Sequence, residues 1–285
     1  MVIKNVGVVG CGLMGSGIVE TCARAGYTVT VREINAAVLQ KGLERLETSI
    51  KRGVSRGKLS QADLDIALAR IKGTTDMADL EASDLVIEAV VENMALKKEI
   101  FAKLDQLCAP EVILASNTSS LSITEMASVT GRPDRVLGMH FFNPVPVMPL
   151  LEIVRTFQTS EDALTIAQAF GESLGKTMVV AKDMPGFIVN RLVIPYFLDA
   201  ITLLQNGLAT REDIDVAIKL GMNHPMGPLT LLDFVGLDTV LFIADAMYQE
   251  FKDPRFAAPP LLRQMVLAGH LGRKSGRGFY DYSSR

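Results

Sequence analysis

The sequence predicts an α/β domain built on a doubly wound sheet, followed by a smaller all-helical domain. Short apolar segments alternate with helical ones through residues 1–184, a pattern typical of a parallel sheet covered on both faces. A glycine-rich turn joins the first strand to the first helix. No convincing strand follows residue 186. We therefore expect a domain boundary that separates 1–184 from 185–285.

Composition excludes several classes of protein. The 285 residues carry a formal net charge of -3 with positive and negative residues interspersed, and the pI of about 5.7 argues against a nucleic-acid partner. Three cysteines without a CxxC pair argue against a disulfide framework or a metal site. The apolar segment 187–204 contains Arg191 and Asp199, which favours a buried helix over a membrane span. Because no signal peptide is evident, we expect a cytoplasmic protein.

The first domain reads as alternating strands and helices. The predicted strands are 2–9, 28–31, 71–73, 85–88, 112–115, 136–139, 150–154 and 177–180. The predicted helices are 14–25, 37–50, one that begins after the capping-box pattern 60–63, 95–107 and 163–174. The second and third of these helices form a hairpin inserted after the second strand, joined by a basic linker at 51–58.

The second domain shows only helical patterns. The predicted helices are 187–205, 212–219, 230–249 and 260–268. The segment 210–213 again has the form of a capping box. Together these features predict an all-α domain.

The segment from Gly10 to Gly15 fits the pattern G-x-G-x-x-G. It follows a strand and opens a helix, which is the context that a dinucleotide-binding turn requires. Gly10 permits the tight turn, Gly12 lets the backbone approach a pyrophosphate, and Gly15 lets the helix pack against the strand. With Leu13 and Met14, these residues predict a Rossmann-type cofactor site. The alternative is a turn of the same shape without a ligand.

An acidic residue at the end of the second strand completes the cofactor pattern. Glu33 lies where a carboxylate accepts hydrogen bonds from the adenosine ribose, and it would repel a 2′-phosphate. We therefore favour NAD, although the adjacent Arg32 keeps NADP possible. Cys11, within the loop, is interpreted as an incidental small residue.

His140 is the candidate base among three histidines. It lies at the carboxyl end of a predicted strand, where open α/β sheets bind ligands. Glu152 lies on the next strand, so the two side chains could meet and the carboxylate would orient the imidazole. A structural histidine and a surface glutamate are the alternatives.

Five further motifs resemble the L-3-hydroxyacyl-CoA dehydrogenase family, in order and over essentially the whole chain. The motifs are ASNTSSL at 115–121, GMHFFNP at 138–144, PGFIVNR at 185–191, HPMGP at 224–228 and GRKSGRGFY at 272–280. The resemblance is closest to bacterial members that act on 3-hydroxybutyryl-CoA. Glu33 stands where many members carry Asp.

The resemblance implies a role for each matching residue. His140 would take the 3-hydroxyl proton, with Glu152 as its partner, while Ser119 and Asn190 would hydrogen-bond the reacting oxygen. Residues that would approach the nicotinamide half of the cofactor are Glu92, Lys97, Ser119, Asn143 and Lys274. The reaction would be reversible hydride transfer between a short-chain 3-hydroxyacyl-CoA and NAD(P), giving acetoacetyl-CoA from the C4 substrate.

Two further expectations concern partners. Lys51, Arg52, Arg56 and Lys58 lie on the helical hairpin, and we expect some of them to contact the phosphates of CoA. The resemblance implies a homodimer, and the apolar helical domain is a suitable contact surface.

Three rival interpretations remain. Dehydrogenases of the 3-hydroxyisobutyrate type share the domain plan but use a catalytic lysine, so the His140 motif argues against them. Crystallin-like gulonate dehydrogenases are nearer relatives. A non-enzymatic NAD-binding protein would need the glycine-rich loop but not the other site residues. NADH oxidation with acetoacetyl-CoA would separate these alternatives.

Overall fold

A computed structural model describes residues 2–283 of the chain. The chain divides into two compact units, and the division falls between Met184 and Pro185. The first unit is α/β and the second is helical.

The described part of the first unit contains one sheet of eight strands in the order β3-β2-β1-β4-β5-β6-β7-β8. The strands are β1 (Asn5–Val9), β2 (Thr28–Arg32), β3 (Ile71–Thr74), β4 (Leu85–Glu88), β5 (Ile113–Ser116), β6 (Val136–Phe141), β7 (Leu150–Arg155) and β8 (Thr177–Lys182). Every strand expected from the sequence is therefore confirmed. The order of the first six strands is that of a Rossmann fold, with its switch point between β1 and β4.

The sheet is not wholly parallel, and the expectation of a parallel sheet was wrong at one place. Strand β7 runs antiparallel to β6, and β8 is parallel to β7. A parallel pair needs a crossover of a dozen or more residues, usually through a helix. The segment between β6 and β7 is shorter and contains no helix, so the chain reverses directly.

Helices connect the strands of the first unit. They are α1 (Leu13–Arg24), α2 (Ala36–Ser55), α3 (Gln61–Ala69), α4 (Met94–Leu107), α5 (Ile123–Ala127) and α6 (Glu161–Ser173). The capping box at the beginning of α3 is confirmed, with Ser60 and Asp63 each accepting the other's backbone N–H. Helix α2 extends to Ser55, so Lys51 and Arg52 lie on its last turns and not in a linker. Short 3₁₀ turns cover Ala78–Leu80 and Pro133–Arg135.

Apolar side chains from both faces of the sheet form the core of the first unit. Val8, Val31, Ile87 and Ile113 on four neighbouring strands are fully buried, and Ile18 on α1 packs in the same cluster. Burial of whole aliphatic side chains contributes about 1.5–3 kcal/mol each, which holds the strand ends in fixed positions.

The second unit contains α7 (Val189–Gln205), α8 (Arg211–Gly221), α9 (Pro228–Val235), α10 (Leu237–Phe251) and α11 (Pro260–Leu267). Short 3₁₀ turns cover Pro254–Phe256 and Arg273–Ser275. The sequence predicted one helix over 230–249, and that prediction was wrong. Gly236 separates α9 from α10 at φ +104°, a conformation that residues with a Cβ rarely adopt.

The helical unit has its own core. Ile201, Leu232 and Met247 are fully buried within it. Among residues 2–283, no helix has both the length and the apolar character that crossing a membrane requires. The apolar helix α7 instead buries one face in this core.

Candidate active site

The glycine-rich loop has the shape of a phosphate-binding turn. Gly10 has φ +99°, and a Cβ there would lie 2.7 Å from the carbonyl oxygen of Ala89. A Cβ on Gly15 would lie 1.9 Å from the carbonyl oxygen of Gly10. A Cβ on Gly12 would meet nothing within 4 Å, so the backbone is open to a ligand at that point. The three glycines thus fulfil three different requirements.

Helix α1 presents its N-terminus to this opening. Its N-cap is Gly12, which has no side chain to accept from the first N–H groups, and its first turn carries no acid. The amides of Leu13 and Met14 therefore lie beside the open side of the loop. Such an end, with its partial positive charge, suits the pyrophosphate of a dinucleotide.

Glu33 lies just after β2 and joins the loop. Its Oε1 accepts from the backbone N–H of Cys11 at 2.7 Å, and its Oε2 accepts from that of Ile34 at 2.8 Å. Each carboxylate oxygen has a second acceptor position, which fits a ribose hydroxyl. The same negative charge disfavours a 2′-phosphate.

The thiol of Cys11 is not poised for chemistry. Burial, reinforced by the charge of Glu33, raises its pKa to about 11. The thiolate is the reactive form of cysteine, so the group is inert at neutral pH. This agrees with its interpretation as a small residue of the loop.

His140 and Glu152 face each other across the antiparallel pair β6–β7. The two residues are direct partners in the ladder, so their side chains share one face of the sheet. Nδ1 of His140 lies 2.7 Å from Oε2 of Glu152. Glu152 is fully buried and His140 is 6% exposed. The register of two strands therefore creates the contact that their order in the sequence suggested.

Two neighbours that sequence reasoning missed fix the end of β6. The ladder between β5 and β6 ends at the pair Ser116–Gly138. Beyond it, Oδ1 of Asn117 accepts from the backbone N–H of Phe141 at 2.9 Å. The ring of Phe142 packs on the imidazole of His140 at 4.6 Å between centroids. These contacts hold the segment that carries His140.

Ser119 lies in a turn after β5 and is partly buried. Its backbone N–H donates to Oε1 of Glu92 at 3.0 Å, and the hydroxyl of Thr118 donates to the same atom at 2.7 Å. Helix α5 is capped by Ser122, whose hydroxyl accepts from Glu125. Ser119 is therefore not the cap of this helix.

Lys97 is buried, not solvated. It is 1% exposed, and its Nζ lies 2.7 and 2.9 Å from the two carboxylate oxygens of Glu88. The same Nζ lies 3.1 Å from Oε2 of Glu92. Glu88 was missed at the sequence level because it ends an apolar strand and matches no site pattern.

The remaining candidates are spread over both units. Asn143 is exposed just after β6. Asn190 lies in the first turn of α7 in the helical unit and is partly buried. Lys274, also in the helical unit, pairs with Asp238 at 2.5 and 2.7 Å.

The basic residues of the α2–α3 hairpin all reach solvent. Lys51 pairs with Glu47 at 2.6 Å, and Arg52, Arg56 and Lys58 are exposed. Among residues 2–283, no three His, Cys, Asp or Glu side chains are grouped so that they could hold a metal ion.

The arrangement as a whole suits proton transfer beside a dinucleotide. The first six strands are parallel, so the glycine-rich loop, Glu92, Ser119 and His140 all follow or end strands at the carboxyl edge of the sheet. Ligands of open α/β sheets bind at that edge. An imidazole paired with a buried carboxylate is a suitable general base.

Comparison with known families assigns both units. Residues 5–184 match the family described as 3-hydroxyacyl-CoA dehydrogenase, NAD binding domain. Residues 186–282 match the family described as 3-hydroxyacyl-CoA dehydrogenase, C-terminal domain.

Full-length relatives show the same relationship. A 3-hydroxybutyryl-CoA dehydrogenase of Mycobacterium tuberculosis is 53% identical over 98% of this chain and 99% of its own. A probable 3-hydroxybutyryl-CoA dehydrogenase of Bacillus subtilis is 48% identical over 100% of this chain and 99% of its own. The crystal structure of (S)-3-hydroxybutyryl-CoA dehydrogenase PaaH1 from Ralstonia eutropha superimposes with a TM-score of 0.94, at 49% identity, covering 99% of both chains.

Proposed function

Because the chain belongs to the 3-hydroxyacyl-CoA dehydrogenase family, we propose that it interconverts (S)-3-hydroxybutyryl-CoA and acetoacetyl-CoA with NAD as its cofactor. The observation that supports this most is the His140–Glu152 contact at 2.7 Å between partner positions of β6 and β7. The named relatives support the short C4 substrate. The open loop at Gly12 and the carboxylate of Glu33 fit NAD.

In the oxidative direction, His140 takes the proton of the substrate 3-hydroxyl group. Nδ1–H donates to Glu152, which fixes the tautomer so that Nε2 is the basic nitrogen. NAD, when bound, supplies the nicotinamide C4 that accepts the hydride from substrate C3. The carboxylate of Glu152 stabilises the imidazolium that results, and in reduction this imidazolium returns the proton to the oxygen.

Ser119 is proposed to hydrogen-bond the reacting oxygen and so to place substrate C3. Its turn is fixed by Glu92, which supports a defined position for the hydroxyl. The family resemblance assigns Asn190 to the same oxygen, and that role stays a prediction. The roles of Glu92, Lys97, Asn143 and Lys274 toward the cofactor also stay predictions.

We place the enzyme in a reducing compartment, the cytoplasm. Cys11, Cys22 and Cys108 are all buried free thiols, which supports this location. We also propose that it acts as a homodimer, with the helical unit supplying the contact.

The test of the proposed function is His140→Gln, assayed with acetoacetyl-CoA and NADH. General acid–base catalysis is worth about 10²–10⁴ in rate, so kcat should fall by a comparable factor. The affinity for NADH, measured by fluorescence titration, should stay within about twofold of the wild-type value, because binding of NADH does not require the proton that His140 transfers. Near-normal turnover of the variant would remove His140 from the mechanism. If the wild type oxidised gulonate with NAD and had no activity with acetoacetyl-CoA, the proposed substrate would be wrong.

A further inference from the structure

An ion network with a buried centre lies at the carboxyl ends of β4 and β5. Glu88 is fully buried and Lys97 is 1% exposed. Besides Lys97, Glu88 accepts from the hydroxyl of Ser116 at 2.6 Å and from the backbone N–H of Val90 at 2.6 Å. Taking a carboxylate and an ammonium out of water costs several kcal/mol for each ion before they interact. A buried pair is therefore weak evidence for stability, and its position calls for another explanation.

The network continues from this pair to the turn that carries Ser119. Nζ of Lys97 contacts Oε2 of Glu92 at 3.1 Å, and Oε1 of Glu92 accepts from Thr118 and from the backbone N–H of Ser119. The contacts run from β4 through α4 and the loop between them to the segment after β5. One end is rigid, since Glu88 lies within the sheet, and the other end is Ser119.

The position of Glu92 depends on its ion pair with Lys97, because the side chain of Glu92 is 28% exposed and lies in a loop. A carboxylate in such a place has several rotamers of similar energy. Oε2 of Glu92 is buried and forms an ion pair with the ammonium of Lys97 at 3.1 Å, while Oε1 accepts from the Thr118–Ser119 turn. Glu88 in turn holds the ammonium through both of its oxygens.

We propose that Glu88 is a positioning residue for the reaction, which acts through Lys97 and Glu92 to hold Ser119 in place. In this arrangement Lys97 is a bridge between two carboxylates. The inference rests on the proposed function, because it takes the role of Ser119 from there. Glu88 acts through other residues and does not itself contact substrate.

The test is a double-mutant cycle on kcat with Glu88→Gln, Ser119→Ala and the combined variant. Glu88→Gln alone should lower kcat about tenfold or more and leave KM for acetoacetyl-CoA nearly unchanged. In the Ser119→Ala background the same change should cost less than about twofold, because residues that act as a unit are not additive. Additive losses would overturn the proposal.

A second variant separates positioning from folding. Glu88→Gln leaves a buried ammonium with one partner fewer and can destabilise the protein. Glu88→Gln combined with Lys97→Met removes both charges, and replacement of a buried pair by neutral groups is often tolerated. The thermal stability of this double variant should then return toward the wild-type value while its kcat stays low. If thermal stability and kcat both recovered, the role of Glu88 would be only structural. Glu99→Gln, in the exposed pair with Lys103 on the same helix, is the matched control and should change neither.

Hydrogen–deuterium exchange without substrate gives a readout that does not depend on turnover. The amide of Ser119 should exchange at least about fivefold faster in the Glu88→Gln, Lys97→Met variant than in the wild type, while amides of β1 stay protected. If the amide of Ser119 kept its wild-type protection in this variant, Glu88 and Lys97 would not hold the Ser119 turn, and the proposal would be wrong. Exchange at Ser119 could increase in the variant while the wild type fails to turn over acetoacetyl-CoA. In that case Glu88 positions Ser119, but the proposed function is wrong.

Discussion

Glu152 provides two things to the imidazole of His140, a hydrogen bond and a negative charge, and substitution can separate them. Glu152→Gln keeps an acceptor for Nδ1–H but removes the charge that stabilises an imidazolium. We expect kcat to fall by about 10²–10⁴ and its pH dependence to change, with KM for NADH nearly unchanged. Initial rates across a pH series measure this.

The matched control for that variant is Glu161→Gln. Glu161 pairs with Arg155 at the surface, where its side chain is 77% exposed. Neutralising it should leave the pH profile as in the wild type. An unaltered profile for Glu152→Gln would mean that the carboxylate only supports the fold.

The three thiols should resist modification in the native protein. Burial raises the pKa of Cys11 and of Cys108 to about 11 and that of Cys22 to about 12. At pH 8, a group with a pKa of 11 is thiolate in only about one molecule in a thousand, and a raised pKa moves reaction to higher pH. A chromogenic thiol reagent should therefore react slowly at pH 8 and release three equivalents only after denaturation. Rapid reaction of one thiol in the folded protein would contradict this.

At the scale of elements, hydrophobic patterning predicted every strand: β4, β5 and β6 are buried throughout, and the edge strands β3 and β8, although partly exposed, still carry short apolar segments. The segments missed or misjudged are those that a local pattern does not determine. The apolar periodicity runs through Gly236, so only its positive φ reveals that α9 ends there. The direction of β7 depends on the length of the preceding loop, and the short helix α5 has too few residues for a helical period.

The residues of the candidate site also divide into those that a local sequence pattern predicts and those that it does not. The glycine-rich loop, His140 and Glu152 could be predicted because their spacing reports on turn geometry and strand adjacency. Glu88 and Asn117 could not, because each acts through contacts with other elements, and Ser116 on β5 and Phe141 on β6 lie 28 and 24 residues away from them. Glu88 reaches a side chain on α4, and Asn117 reaches the backbone of β6. Such contacts appear only when the strand order is known.

The α2–α3 hairpin is expected to contribute to substrate affinity through charge. If Arg56 and Lys58 contact CoA phosphates, reversing both to Glu should raise KM for acetoacetyl-CoA about threefold to tenfold, since an exposed ion pair contributes roughly 0.2–1 kcal/mol. KM for NADH should not change. The effect should shrink in high salt, because screening weakens exposed charge pairs. Steady-state kinetics at two ionic strengths measure both trends.

Lys103→Glu is the control for the hairpin variants. Lys103 is an exposed lysine on α4 with a partner at i−4, as Lys51 has on α2. Its reversal changes the net charge of the protein by the same amount per residue without touching the hairpin. Equal increases in KM for both sets would show a general effect of net charge and no contact by the hairpin.

At the scale of the whole molecule, the helical unit exposes several large apolar side chains. Leu192 is 72% exposed, Leu220 76% and Leu267 88%, although this unit also buries a complete core of its own. Single exposed leucines are ordinary, but several on one small unit provide apolar area that association could bury. This supports the proposal of a homodimer.

Light scattering coupled to gel filtration should therefore give twice the chain mass of 30.9 kDa. Leu192→Asp should shift the protein toward the monomer, because burying a carboxylate in an apolar contact is costly. Phe157 is 84% exposed in the first unit, so Phe157→Asp is the matched control and should leave the mass unchanged. A wild type that elutes at a single chain mass across micromolar concentrations would refute the dimer. A dimer that persists with Leu192→Asp would place the contact elsewhere.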